Sequence, residues 1–365
     1  MKHWVMDYET LANCFTGVFE HYKTQETEIF VIHDLQNDLV KFINFLENNI
    51  ENKEWHISYN GLAFDAQVTH YILDNYFVWK NLNGCEIAKI IYNYAQLCIT
   101  RSNNREFNDY PPWKMRMGQI DVFKMHHWDN LAKLSSLKWI QYSMDWQNII
   151  DMPIHHKTEI STQAEIDVIL EYCINDVKST KEIYNRSKSQ IGLRKKLSKE
   201  YGINLFSASE PRISKEIFGY YLSRNLNISN RDLKQMRTYR ETIKIADIIL
   251  PYIKFTSPEF NVLLDRFKAI EVDAASLKGS FKYNILYKNV KTHFGFGGVH
   301  GAAGKGVYEP EDGMMILSSD VTSFYPNLAI KNKWSPGHFP KEAFCDQYEW
   351  FFEERKKIPK SNPMN

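Results

Sequence analysis

Apolar positions recur with two different periods along the first half of the chain. Trp4-Val5-Met6 and Ile29-Phe30-Val31-Ile32 are short, strand-like apolar runs, and Trp55 to Tyr59 and Gly118 to Phe123 repeat that character. Between them lie helical spacings. Leu39, Phe42, Ile43 and Leu46 follow Asn37 and Asp38, which can cap a helix. Val68, Tyr71 and Ile72 share one face after a break at Asn60-Gly61. From Thr162 to Ser187 the stripe Ile166, Ile169, Leu170 and Cys173 predicts one long helix. Alternating strands and helices predict an α/β (or α+β) domain over residues 1–190.

The pattern then changes. Residues 177–200 carry eight basic side chains against two acidic ones, a local charge of +6. This run is either a solvated helix face or a surface that meets phosphates. Residues 203–290 read as helical and charged, and the glycines Gly295, Gly297, Gly298, Gly301, Gly304 and Gly306 follow. Met314-Met315-Ile316-Leu317 is expected to be a buried strand leading into Asp320. The expected division is therefore 1–190, a helical connecting region with the glycine-rich segment over 191–305, and a last segment over 306–365.

Composition narrows the function classes. The chain has 365 residues, 44% of them apolar and 24% charged, which excludes a disordered or fibrous protein. Basic and acidic residues number 45 and 44, so any nucleic-acid contact must come from local patches. The five cysteines are scattered without a CxxC pair, which argues against a zinc ribbon or disulfide framework and for a reducing compartment. Charge stands where a signal peptide needs an apolar stretch. The longest apolar runs, such as Ile248-Ile249-Leu250, fall far short of the roughly 18 residues of a membrane span. A cytoplasmic protein that is not secreted and engages no membrane is expected.

The candidate chemistry is acidic. Asp7 and Glu9 are two apart on a strand, so both carboxylates point to one face. Asn60-Gly61 suits a tight turn, Phe64 can anchor that loop, and Asp65 falls in a first helical turn, where an acid is favoured. Tyr172 and Asp176 are four apart and share a helix face that continues the apolar stripe. Each signal alone is ordinary. Together, four carboxylates and a tyrosine on a strand, a strand-to-helix loop and a helix are the inventory of a two-metal nuclease. Such oxygen ligands suit Mg²⁺ or Mn²⁺, two ions in the site, with Tyr172 placed to hold the attacking water.

With these motifs, Asp7-x-Glu9, Asn60-x-x-x-Phe64-Asp65 and Tyr172-x-x-x-Asp176, the chain resembles the proofreading 3′→5′ exonuclease domain of family B DNA polymerases of phage or viral type. The resemblance implies an RNase H-like domain acting on the 3′ end of single-stranded DNA. It further implies that Asn60 and Phe64 hold that end, and that Ser136 and Leu137, in Ser136-Leu137-x-x-Ile140, contact the primer strand.

Asp320-Val321-Thr322-Ser323-Phe324-Tyr325-Pro326 resembles the first polymerase motif of the same family, at the start of the palm. By that resemblance Asp320 is a metal ligand, Val321 and Ser323 meet the incoming dNTP, and Phe324-Tyr325 place Tyr325 under its sugar. Gly297-Gly298 stands where family members carry a Tyr-x-Gly-Gly element that touches primer-template DNA, although the tyrosine is missing here. The later Lys-x-x-x-Asn-Ser-x-Tyr-Gly helix and Asp-Thr-Asp hairpin of the family are not in this sequence. The expectation is thus the N-terminal part of a viral replication polymerase. It would have its exonuclease residues complete and its polymerase site incomplete unless a second polypeptide supplies the rest. The alternative is a free-standing 3′→5′ exonuclease with a nucleic-acid-binding C-terminal module.

Overall fold

A computed structural model describes residues 2–79, 81–273, 282–295 and 298–362. The chain forms two compact units, residues 1–221 with 355–365, and residues 222–354.

The first unit is α/β. Its strands are β1 (His3–Thr10), β2 (Phe15–His21), β3 (Thr27–Ile32), β4 (Trp55–Ser58) and β5 (Gly118–Asp121), ordered β3-β2-β1-β4-β5. β1, β2 and β3 pair antiparallel, whereas β1, β4 and β5 pair parallel. Its helices are α1 (Leu39–Glu51), α2 (Asp65–Asn75), α3 (Gly84–Asn104), α4 (Val122–Met125), α5 (Leu137–Ser143), α6 (Gln163–Arg186), α7 (Lys188–Tyr201) and the start of α8 (Glu210–Asn225). The expected strands and helices of this region are present, although β1 and α1 run several residues past the apolar positions that marked them and the expected strand Gly118–Phe123 ends at Asp121, just before α4.

β1 is central, and its period of two sorts its side chains between two cores. Trp4, Met6 and Tyr8 pack with Phe42, Leu46, Ile87 and Ile91 of α1 and α3. Val5 joins Ile57, Cys173 and Val177 on the α6 side. Asp7 and Glu9 share the parity of Val5 and therefore face α6. That helix starts where a capping box stands: the Thr162 hydroxyl accepts from the Glu165 N–H, and the Glu165 carboxylate accepts from the Thr162 N–H. Its stripe Ile166, Ile169, Cys173 and Val177 is buried.

Two elements of this unit carry no clear pattern. β2 is buried along nearly its whole length, but Gly17 and Glu20 interrupt its apolar run. Arg194, one of the eight basic residues of 177–200, is 2% exposed. Its guanidinium donates to the carbonyls of Ala208, Gln190 and Met125. Lys181 pairs with Glu20. The basic run is thus partly internal wiring, and Lys178, Arg186, Lys188, Lys195, Lys196 and Lys199 remain on the surface.

The second unit holds α9 (Asn230–Gln235), β6 (Thr242–Lys244), α10 (Ile245–Ile248), α11 (Pro258–Lys268), β7 (Glu271–Asp273), β8 (Lys282–Tyr287), β9 (Val290–Gly295), β10 (Gly298–Ala302), α12 (Phe324–Asn332) and α13 (Lys341–Lys356), the last running into the first unit's C-terminal residues. The described residues of 203–290 are thus helical with strands interspersed. Gly295, Gly298 and Gly301 of the glycine-rich segment lie on the antiparallel pair β9-β10, with Gly295 opposite Gly298. Gly297 lies outside the described residues. The expected buried strand at Met314–Leu317 is not formed. These residues are 63–79% exposed and pair with no strand among those described. Apolar character favours burial, but a strand is buried only where neighbouring strands and a covering layer exist.

All five cysteines are free thiols. No helix among the described residues is long and apolar enough to cross a membrane.

Candidate active site

The C-terminal half of β1, the loop after β4, and α5 and α6 converge on one groove of about 610 Å³. Asp7, Glu9, Asn60, Ser136, Leu137 and Asp176 are among its lining residues. Carboxylate oxygens of Asp7, Glu9 and Asp176 lie within 4.8 Å of one another, a grouping that could hold a metal ion. Asp7 and Glu9 are partly exposed to the groove, and Asp176 is 5% exposed.

Asp65 stands outside that trio but close by. Its charge, after burial, raises the Asp7 pKa. It is 2% exposed, and its Oδ1 has no hydrogen-bond partner among the described residues. A buried carboxylate oxygen without a donor is costly unless something else meets it. Asp7 and Glu9 hold their protons well above the usual carboxylate range, and the Asp176 pKa is raised as well. Desolvation is the largest cause for each, and neighbouring acids add to it for Asp7 and Glu9. Four oxygen-ligand side chains, mutually repelling and in part unpartnered, fit hard divalent cations.

Local geometry places each acid. The Asn60 backbone is left-handed, with φ 67°. A Cβ on Gly61 would overlap the Ser58 hydroxyl and lie 3.3 Å from Asp65 Oδ2. Asn60-Gly61 is thus required to turn the chain from β4 into α2 with Asp65 in its first turn. On α6 the Tyr172 hydroxyl stands beside Asp176 and favours its ionised form. Burial and that neighbouring acid push the phenol pKa far up, so Tyr172 stays protonated.

Three contributors carry no recognisable sequence signal. Gln141, fully buried on α5, donates to Asp176 Oδ1 at 2.8 Å and to the Ser179 hydroxyl at 2.8 Å. Lys138 places its ammonium 5.5 Å from the centre of the Tyr172 ring and 2.7 Å from the exposed Asp151. Its charge favours ionised Glu9 and Asp176. Asp121, at the end of β5, accepts backbone N–H bonds from the loop that carries Asn60. No motif spacing marks these residues, because their partners are distant in sequence.

Ser136 caps α5, accepting from the Trp139 N–H at 3.2 Å, and lines the groove with Leu137. Trp139 also lines the groove. It is 60% exposed and stacks on Tyr142 at 5.7 Å between ring centres. Phe64 is half-buried against the α1/α3 core, the anchoring position.

The remaining expected site residues belong to the second unit. Asp320 is exposed and joins no carboxylate cluster among the described residues. Val321, Phe324 and Tyr325 are exposed, Tyr325 to 70%, and Ser323 takes a left-handed backbone at the start of α12. Gly298 opens β10 at φ 139°. Compared with known proteins, the chain matches no protein-family model and no curated sequence.

Proposed function

We propose that the groove of the first unit is the site of a 3′→5′ exonuclease that hydrolyses single-stranded DNA with two divalent cations, Mg²⁺ or Mn²⁺. The observation that carries this reading is the trio Asp7, Glu9 and Asp176 with the unpartnered Asp65 oxygen beside it. The mixed sheet with helices on both faces, and acids on its central strand, supports an RNase H-like reading of the fold.

Cations bound there would activate water and offset charge on the scissile phosphate. Asp7, Glu9, Asp65 and Asp176 would hold them. Gln141 fixes the Asp176 carboxylate by a hydrogen bond that a cation need not displace. Protonated Tyr172 donates and cannot serve as a base, so its part is to orient the attacking water. Lys138 supplies positive charge beside the phosphate. Asn60, Ser136, Leu137 and the exposed Trp139 ring border the space for the terminal nucleotide, and base–aromatic stacking there would be sequence-tolerant.

In the same reading the chain is the N-terminal portion of a family B DNA polymerase. Asp320 would become a palm metal ligand and Tyr325 the floor of a dNTP site only with the fingers lysine and the Asp-Thr-Asp hairpin, which this sequence lacks. Primer-template DNA and a second polymerase polypeptide are the partners this implies.

The test is digestion of a 5′-labelled oligonucleotide with Mg²⁺. A ladder shortening from the 3′ end, lost in Asp7→Ala and Asp176→Ala, is expected. Equal digestion by all three proteins would refute the assignment.

A further inference from the structure

Asp121 is a buried acid that the proposed chemistry leaves unused. It is 0% exposed at the end of β5, directly opposite Ser58 of β4. Its two oxygens bind two different pieces of backbone. Oδ1 accepts from the N–H groups of Phe123 at 3.0 Å and Lys124 at 3.2 Å, closing the start of α4. Oδ1 also accepts from the Asn60 N–H at 3.0 Å, and Oδ2 from the Leu62 N–H at 3.0 Å. The Asp121 N–H itself donates to the Ser207 hydroxyl at 2.9 Å, which donates on to the Gln119 carbonyl.

The carboxylate therefore ties the Asn60–Leu62 turn to the rigid edge of the sheet. That turn needs holding. Asn60 is in the left-handed region, Gly61 has no room for a Cβ against Ser58, and Asp65 is a desolvated acid whose charge and that of Asp7 repel each other. A turn that placed Asp65 by its own preferences would relax away from the other acids. We propose that Asp121 is a positioning residue for the site. By clamping the Asn60 and Leu62 amides it holds Asp65 within reach of the cations and Asn60 against the groove. The inference rests on the nuclease reading for its chemistry, but it makes a separate claim about cation binding.

Loss of an outer residue that orients a ligand typically costs roughly 10–100-fold in metal affinity or activity. The informative variant is Asp121→Ser. Its short hydroxyl can still cap α4 but cannot span to both turn amides. Asp121→Asn keeps one acceptor oxygen and is the milder form. Wild type, Asp65→Asn, Asp121→Ser and the double variant are compared as the full chain, for Mn²⁺ affinity by calorimetry and for single-stranded DNA digestion. Circular dichroism checks the fold, and should Asp121→Ser fail to fold, the same cycle is run with Asp121→Asn.

Asp121→Ser is expected to lower Mn²⁺ affinity roughly 10–100-fold, with Asp121→Asn in between. Asp65→Asn should cost clearly less in the Asp121→Ser background than in wild type, because the carboxylate it removes is already misplaced. A full, additive Asp65→Asn penalty in both backgrounds would overturn the proposal and leave Asp121 a fold residue only. If wild type binds Mn²⁺ but leaves DNA intact, the nuclease reading fails, and the cation cycle still decides Asp121. If wild type binds no Mn²⁺, both fall.

Discussion

Two regions of this chain carry acids inside recognisable motifs, and they differ in what surrounds them. In the first unit Asp7, Glu9, Asp65 and Asp176 sit on three elements, β1, α2 and α6, locked into a sheet and two cores, with carboxylates desolvated and crowded. In the second unit Asp320 stands exposed after an exposed apolar stretch, Met314–Leu317. Burial and crowding raise the energy of the first set and make it receptive to cations. Solvent leaves Asp320 with nothing to relieve. A motif string therefore becomes a site only where the fold spends stability to bring its members together.

The largest test of this contrast removes acids from each region. Asp7→Ala or Asp176→Ala is expected to slow 3′-end digestion by about 1000-fold or more, because each takes away a cation ligand. Asp320→Ala should leave the rate within about twofold, as expected for a surface change away from the site. A comparable loss in Asp320→Ala would break the comparison.

Within the groove, Tyr172→Phe is expected to slow hydrolysis roughly 10–100-fold while leaving cation affinity nearly unchanged, since the hydroxyl is assigned to the water. Calorimetry alongside rate measurements separates the two. Loss of both would show Tyr172 to be part of the cation cradle itself.

At the rim, Trp139→Ala should raise the KM for single-stranded DNA by about tenfold with kcat little changed, the effect of one lost base–aromatic stack of about 1–3 kcal/mol. Trp139→Phe should recover most of it. An unchanged KM would place the 3′ end elsewhere in the groove.

The smallest effect is on stability and has a definite sign. Asp65 and Glu9 keep their protons up to about 7 and about 8, mainly because burial disfavours their charge. The folded state therefore binds more protons than the unfolded state above pH ~4, and the cation-free protein loses stability as pH rises from there to about 8. At pH 8 without cations, Asp7→Asn should raise Tm by about 2–4 °C, the equivalent of about 1 kcal/mol. Added Mn²⁺ should stabilise wild type more than this variant. A lower Tm in cation-free Asp7→Asn would mean that the crowding is already compensated.

Much of the first unit was legible in the chain. The period of two across Trp4–Glu9 and the helical stripe from Ile166 to Cys173 are local signals, and they place Asp7, Glu9, Tyr172 and Asp176 on the right elements. Gln141 and Asp121 were not legible, because each works on partners 35 to 61 residues away. Arg194 looked like part of a basic surface, yet three carbonyls hold it inside, and only tertiary structure distinguishes those fates. Met314–Leu317 misled in the opposite direction. Apolar content says that a segment gains from burial, but not that partners are present to bury it.

The most direct measurement is a Mn²⁺ titration of the full chain followed by electron paramagnetic resonance. Two ions bound close enough to couple magnetically, both weakened in Asp176→Ala and unaffected in Asp320→Ala, are the predicted result. A chain that binds no Mn²⁺, or binds it equally well without Asp176, would contradict the claim that these carboxylates form a two-cation hydrolytic site.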